Sequence, residues 1–260
     1  MSTLLLALAE RDAGALFVVN HSGGKDSQVM LIEVLRHVPT SQILVVHATL
    51  GESEWTGAKE HAQAQADAAG VPFIVAQARD RQGNDKTFLG MVEKRFKDRP
   101  EVPSWPSSAS RQCTSDLKRG PITREVRAWA DAHGFKRIVN CMGMRAAESS
   151  ARAKKKVWAE HAEHGAAGRS WYDWLPIHDM STPDVLRTVA DAGQELHPAY
   201  ALGNDRLSCV FCLFGSVGDL RNGAEQNPEL YARYVEMERR TGYTLHMSRK
   251  SLEEITGVPA

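Results

Sequence analysis

The sequence has no long apolar run. Near its start only Leu4 to Ala9 is apolar, too short to span a bilayer and without the basic flank of a secretory leader, so no membrane and a cytoplasmic location are expected. Neither sign of charge is in excess. With 32 Lys+Arg against 32 Asp+Glu, no global field draws the chain to nucleic acid or to a membrane surface, and any such contact must come from a local patch. Cysteine is scarce. Four in 260 residues exclude a disulfide scaffold and leave metal or redox roles, given a reducing compartment. Internal repeats and low-complexity linkers are also missing. At 42% hydrophobic residues, the chain can bury the core of one large domain, or of one domain with a small appendage.

The most informative stretch is Ser22-Gly23-Gly24-Lys25-Asp26-Ser27. It lies between the apolar run Ala15 to Val19 and an apolar-periodic stretch that begins at Val29. A strand, a glycine turn and a helix start make a phosphate cradle: the glycines let backbone N–H groups approach an anion, and the helix adds its positive end. Ser22 and Ser27 can donate hydroxyl hydrogen bonds, Lys25 supplies a point charge, and Asp26 can hold a metal ion that accompanies a polyphosphate. The Walker pattern is excluded, because it requires Ser or Thr after Gly-Lys and Asp26 stands there.

Strands alternate with helices along the first half of the chain. Ile43 to His47, Phe73 to Ala76 and Arg137 to Cys141 read as further strands, with helical patterns around Met30 to Leu35, over 56–69 up to Gly70, and from Pro121 to Gly134. This order implies a doubly wound parallel α/β sheet whose ligands sit beyond the carboxyl ends of the strands. Residues 79–120 and 145–175 read as long irregular segments, and loops of that length are usually functional or mobile. Past residue 176, Thr182-Pro183 and Asn227-Pro228 open helices. The expected division is therefore an α/β domain over 1–176 and a small, mostly helical part over 177–260.

Cys209 and Cys212 have the two-residue spacing that lets both thiolates face one metal. No second knuckle completes a zinc ribbon. Cys113 lies in a polar loop with no packing reason to hold a thiol and is the favoured third ligand. Cys141 lies among Ile138, Val139 and Met142, where a cysteine is a small hydrophobe. His197 is a weaker candidate for a fourth ligand. Glu52, at the end of the second strand, is read either as a neighbour of the nucleotide or as a solvated carboxylate. The run Lys154 to Lys156, with Arg152 and Arg169, is read either as a grip on nucleic-acid phosphates or as a solvated face. Trp171, Tyr172 and Trp174 are read as packing the C-terminal part against the sheet, with base stacking as the alternative.

Taken together, these residues resemble the PAPS reductase-like family of the PP-loop ATP-pyrophosphatase superfamily, and within it the DndC-like, phage-type branch. The resemblance rests on Ser22 to Ser27, Arg111-x-Cys113-Thr114 with Leu117-Lys118 and Pro121-Ile122, Gly143-Met144-Arg145-Ala146-Ala147-Glu148-Ser149, Leu175-Pro176-Ile177, and His197-Pro198-x-Tyr200 leading to Gly203, Arg206 and Ser208-Cys209-x-x-Cys212. It implies an adenine nucleotide alpha hydrolase-like fold that binds ATP or PAPS, with Gly143, Arg145 and Glu148 joining the loop at the nucleotide.

In many such relatives a 4Fe-4S cluster is held by loop and C-terminal cysteines, here Cys113, Cys209 and Cys212, with Cys141, His197 or an open iron in fourth place. One departure is plain: no Glu-Cys-Gly-Leu-His nucleophile of the true reductases occurs, and no cysteine follows Cys212. The expected chemistry is therefore cleavage of ATP to AMP and pyrophosphate, adenylylation of a substrate, and sulfur transfer. Lys25 and the loop amides would hold the β- and γ-phosphates, Asp26 a Mg2+ ion, and Arg145 or Lys118 the α-phosphate. The alternatives are a PAPS or adenosine phosphosulfate reductase, and a non-catalytic nucleotide- and cluster-binding module of a modification or defence complex. The partners that go with the preferred reading are the nucleotide, a sulfur-donor protein, a nucleic-acid substrate and a second copy of the chain.

Overall fold

The structure is a computed structural model that describes residues 2–165 and 168–260. Six strands, β1 (Leu16–Asn20), β2 (Ile43–Thr49), β3 (Phe73–Gln77), β4 (Arg137–Cys141), β5 (Trp158–Glu160) and β6 (Ser170–Trp174), form one sheet in the order β3-β2-β1-β4-β6-β5. β1 pairs in parallel with β2 and β4, and β4 in parallel with β6. Only the edge pair β5 with β6 is antiparallel. The expected α/β class therefore holds, with one antiparallel edge.

Both faces of the sheet are buried, as a sheet of this kind requires. Phe17, Val19, Val45, Val139, Cys141 and Trp174 share one core with apolar residues of the helices Thr3–Asp12, Lys25–Leu35 and Thr182–Asp191. The alternate residues Leu16, Val18, Leu44 and Ile138 are fully buried as well. The strand order reverses at β1, which has β2 on one side and β4 on the other. A ligand site is expected beyond the carboxyl ends of β1 and β4.

Contacts divide the chain into two compact units. The first holds the chain up to His47, Lys59–Val75 and Ile122–Leu196; the second holds Ala48–Ala58, Ala76–Pro121 and His197–Ala260. This differs from a division at residue 176. The excursions that leave β2 and β3 carry Leu50, Trp55, Phe88, Leu89, Val92, Trp105 and Leu117, and these share a core with Phe211, Leu220, Tyr231 and Tyr234 of the C-terminal helices. The helix Thr182–Asp191 instead sends Val185 and Val189 into the sheet core.

The two segments expected to be irregular contain regular structure. Within 79–120 runs the helix Phe88–Asp98, whose N-cap Thr87 accepts from the Gly90 amide at 3.0 Å. Within 145–175 lie β5 and β6, and residues 166 and 167 of that segment fall outside the described residues. The aromatics there are sheet residues, and Trp174 packs in one core with Ile177, Val185 and Val189. Trp174 meets Phe17 edge-on at 6.1 Å, and Tyr172 stacks on Trp158 at 5.3 Å. No helix among the described residues is long and apolar enough to cross a membrane.

Candidate functional site

The hexapeptide occupies the carboxyl end of β1. Gly23 has a φ of +80°, a left-handed conformation that glycine adopts without strain. Gly24 is the N-cap of the helix Lys25–Leu35, and no side chain caps that helix. Its first amides therefore have no intrahelical acceptor and carry the positive end of the helix dipole. Ser27 Oγ donates to the Gly24 carbonyl at 2.8 Å and accepts the Ser22 amide at 3.2 Å, which closes the turn. Lys25 is buried, at 5% exposure.

The residue before the hexapeptide braces it. His21 Nδ1 accepts the Gly23 amide at 3.1 Å, so the ring proton sits on Nε2, where it donates to Gln65 Oε1 at 2.8 Å. Burial pushes the His21 pKa down to about 3, with further lowering by His47 and His61, and the ring is neutral. His47 Nδ1 in turn donates to the His21 carbonyl at 2.8 Å. Neither His21 nor Gln65 stood out in the sequence. The usable signal was a histidine in direct contact with a glycine loop, and a glutamine on the otherwise alanine-lined inner face of a polar helix.

The Gly143 to Glu148 stretch leaves β4 beside the loop, as the reversal of strand order predicts. A Cβ on Gly143 would lie 3.1 Å from the Asp26 carbonyl oxygen and 3.3 Å from the Ser27 nitrogen, so any side chain here would crowd the start of the helix. Arg145, buried at 3% exposure, donates from Nε to Asp26 Oδ1 at 2.6 Å and from Nη1 to the Met180 carbonyl at 3.2 Å. Glu148 accepts the Arg145 amide at 2.9 Å and pairs with Arg152.

The structure thus brings Ser22 to Ser27, Gly143, Arg145 and Glu148 together, but gives some of them other partners than expected. Asp26 holds a guanidinium through Oδ1, where a magnesium ion was expected as its partner. Arg145 anchors Asp26 where a hold on the α-phosphate was expected. Arg152 belongs to Glu148 and Arg169 to Asp131, which leaves Lys154 to Lys156 as the exposed part of the basic run.

The cysteines fall into two settings. Cys141 is fully buried in the sheet core, and burial raises its thiol well above the usual range. Cys113, Cys209 and Cys212 all belong to the second unit, close enough for their charges to interact. Cys113 sits on the turn Gln112–Thr114 and is followed by a π-helical turn, Ser115–Arg119, that carries Lys118. Lys118 Nζ lies 3.9 Å from Cys209 Sγ. Burial pushes the Cys209 thiol up to about 11, Lys118 pulls it down, and the other two thiols push it up again. The Cys209 thiolate in turn raises Lys118 above its ordinary value. Lys118 is therefore a partner of the thiols, where contact with a phosphate was expected. Three sulfur donors with one ammonium to offset their charge suit a thiophilic metal group.

Other motif residues shape this region. Cys209 bridges to Glu54, and the Val210 amide donates to the Ser53 carbonyl at 3.0 Å. His197 accepts the Ala199 amide on Nδ1 at 3.1 Å and donates from Nε2 to the Thr56 carbonyl at 3.1 Å, so both ring nitrogens are engaged and it does not fit a fourth ligand. Tyr200 Oη accepts the Leu207 amide at 3.3 Å and fixes the approach to Cys209. Glu52 is gripped by both terminal nitrogens of Arg233, one at 2.9 Å, so its carboxylate is committed to an ion pair.

A nucleotide-class PP-loop on a mostly parallel sheet defines the kind of protein this is. The model of the phosphoadenosine phosphosulfate reductase domain matches residues 17–225, and the chain belongs to that family. The phosphoadenylyl-sulfate (PAPS) reductase of Candida auris, solved as a phosphate complex, is similar in fold, with a TM-score of 0.50 at 12% identity over 80% of this chain and 88% of that one. The Candida glabrata FMN adenylyltransferase in complex with FMN and an ATP analogue gives a TM-score of 0.45 at 10% identity, over 80% of this chain and 64% of that one. In sequence, the uncharacterized 37.8 kDa protein in the gpa 5′ region of Escherichia phage 186 is 27% identical over 135 residues, 52% of this chain and 39% of that protein. The match thus spans about two fifths of that relative.

Proposed function

We propose that this chain is an ATP-pyrophosphatase of the DndC-like, phage-type branch, which adenylylates a substrate in preparation for sulfur transfer, with a nucleic acid as acceptor. The observation that carries the reading is the first turn of the helix Lys25–Leu35. It is uncapped by any side chain, opened by the left-handed Gly23 and held from behind by the neutral His21. Such a turn binds phosphate through fixed amides that need no rearrangement when charge develops. Attack of a substrate oxygen on the α-phosphorus forms the new P–O bond, and the bond to the β-phosphate breaks to release pyrophosphate. Lys25 and the first-turn amides carry the phosphate charge, and Arg145 acts through Asp26 as a positioning residue.

Cys113, Cys209 and Cys212 would hold a 4Fe-4S cluster, which when bound supplies a redox-active centre with one iron not ligated by this trio. Lys118 favours the thiolate forms that any such group requires. Cys141 is buried in the sheet, and with Cys113, Cys209 and Cys212 taken up by such a cluster no cysteine of this chain would be left as a nucleophile for sulfonucleotide reduction.

Chemical quench with α-labelled ATP under anaerobic conditions tests the first step. Pyrophosphate is expected in an amount equal to adenylylated substrate plus free AMP, and release of ADP and phosphate would overturn it. The family membership favours reduction of PAPS as the second reading, and formation of sulfite from PAPS with a thiol donor would establish that instead.

A further inference from the structure

A polar row crosses the sheet in the first unit, away from the hexapeptide's own bonds. Asn20 Nδ2 donates to Asn140 Oδ1 at 2.7 Å, and Asn140 Nδ2 donates to Asp173 Oδ1 at 2.8 Å. Asp173 Oδ2 then accepts from His161 Nε2 at 2.8 Å. Asn140 and Asp173 are register partners on β4 and β6, so the row follows the pleat. Its far end is a histidine just past the edge strand β5, whose amide donates to the Trp171 carbonyl at 2.8 Å.

The turn that follows, Ala162–His164, is a 3-10 turn. Residues three apart in such a turn eclipse one another, which puts His161 and His164 on one side. Their ring centroids lie 5.3 Å apart, and one donor atom from each of His161, Glu163 and His164 falls within 4.8 Å of the other two. Donors that share one zinc ion lie at most ~4.2 Å apart, since each bond is about 2.1 Å, so small side-chain rotations bring these into range.

We propose that His161, Glu163 and His164 form a binding site for a divalent cation of the zinc class, with Asp173 as the carboxylate that orients His161. Two imidazoles and one carboxylate, with a position left for water, are a donor set for Zn2+. Asp173 Oδ2 holds His161 at Nε2, and the other ring nitrogen, Nδ1, lies 3.6 Å from Glu163 Oε1. A carboxylate behind a ligating histidine is the usual outer-shell partner of such a metal, and here that carboxylate is itself held by Asn140. Arg127 works against the cation: its Nη2 donates to the His164 carbonyl at 3.2 Å and lies 3.4 Å from the ring Nδ1. Rotation of the His164 ring onto a metal releases only the longer of these contacts. Glu163 and Asp173 supply the negative charge that offsets the guanidinium.

The thiol trio also takes up metals, so the test must separate the two sites. The full chain is titrated with Zn2+, and in parallel with Co2+, whose sulfur-to-metal band in the near ultraviolet reports the thiols alone. Wild type is expected to bind one more equivalent of Zn2+ than His161→Ala or His164→Ala, with the Co2+ sulfur band unchanged in all three. Asp173→Asn is expected to weaken this equivalent about 10–100-fold. Glu163 is 73% exposed, so Glu163→Gln leaves the fold intact while removing a ligand charge. Equal zinc stoichiometry and affinity in wild type, His161→Ala and Glu163→Gln would overturn the site.

Discussion

His21 Nδ1 accepts the amide of Gly23 at 3.1 Å, so the first glycine of the loop is held by the side chain that precedes it. The same bond commits the Gly23 amide inward. The amides that open the helix Lys25–Leu35 carry the helix's positive end towards a phosphate. A neutral ring is required, because an imidazolium would point a proton at the Gly23 N–H.

That requirement gives a pH dependence with a definite sign. The folded ring has a pKa of about 3 and an unfolded histidine 6.5, so between these values the unfolded chain binds the extra proton. The stability that depends on neutral His21 is complete above pH 6.5 and is lost as pH falls towards 3, with a slope approaching ~1.4 kcal/mol per pH unit. Denaturant unfolding of wild type and His21→Gln between pH 7 and 4 checks this. The variant is expected to be less stable at pH 7 and to show a shallower fall. Parallel curves would remove His21 from the explanation.

Gly143→Ala is expected to reduce both stability and nucleotide binding. The new methyl would press on the Asp26 carbonyl at 3.1 Å and the Ser27 nitrogen at 3.3 Å, and backbone atoms cannot swing aside as a side chain can. Overpacking of this kind costs about 1–3 kcal/mol. The start of the phosphate-facing helix must shift to relieve it. Thermal unfolding with and without ATP separates the effects, and a variant with wild-type ATP affinity would show that the approach is not needed for the site.

The parts legible in the sequence were those that local chemistry enforces. The strand-glycine-helix pattern around Ser22 to Ser27 and the apolar setting of Cys141 are carried by neighbours in sequence, and they stand as read. The strands β5 and β6 were hidden because Ser170 to Trp174 is a short aromatic run within a polar segment, and a strand's pairing partner is not written beside it. The ion pairs of Asp26 with Arg145 and of Glu52 with Arg233 span 119 and 181 residues, and no local pattern announces them. The thiol partner of Lys118 was hidden for the same reason. The lysine's charge suggested phosphate, and only the fold brings Cys209 to it across 91 residues.

The pair Asp26 and Arg145 should behave as one unit. Arg145 has 4% of its side chain exposed and Asp26 21%, so removing either partner strands the other in a poorly hydrated place. Arg145→Met and Asp26→Asn are each expected to lose about 2–4 kcal/mol of stability, and the double variant less than their sum. A double-mutant cycle in urea measures the coupling. Additive losses would mean that the two groups act independently, and Asp26 would then be open to a cation after all.

Lys118 is expected to set the pH at which the thiol trio takes up metal. Burial holds the Cys209 thiol near 11 despite the nearby ammonium, so a metal must displace protons from Cys113, Cys209 and Cys212 as it binds, and uptake strengthens with rising pH. Removing the ammonium by Lys118→Met takes away the charge that lowers the Cys209 pKa. The uptake curve then moves to higher pH, and affinity at pH 7 falls. Co2+ uptake followed by its sulfur-to-metal band between pH 6 and 9 reads the shift directly. Cys113→Ser, Cys209→Ser and Cys212→Ser should each weaken the band, and Cys141→Ala should leave it unchanged because that thiol sits in the sheet core. Anaerobic iron and sulfide analysis of the same variants then identifies the native group: iron and sulfide lost together in the three serine variants support a cluster, and a colourless zinc protein replaces it. An unchanged pH profile in Lys118→Met would assign the lysine's charge to another ligand, and phosphate would return as the first candidate.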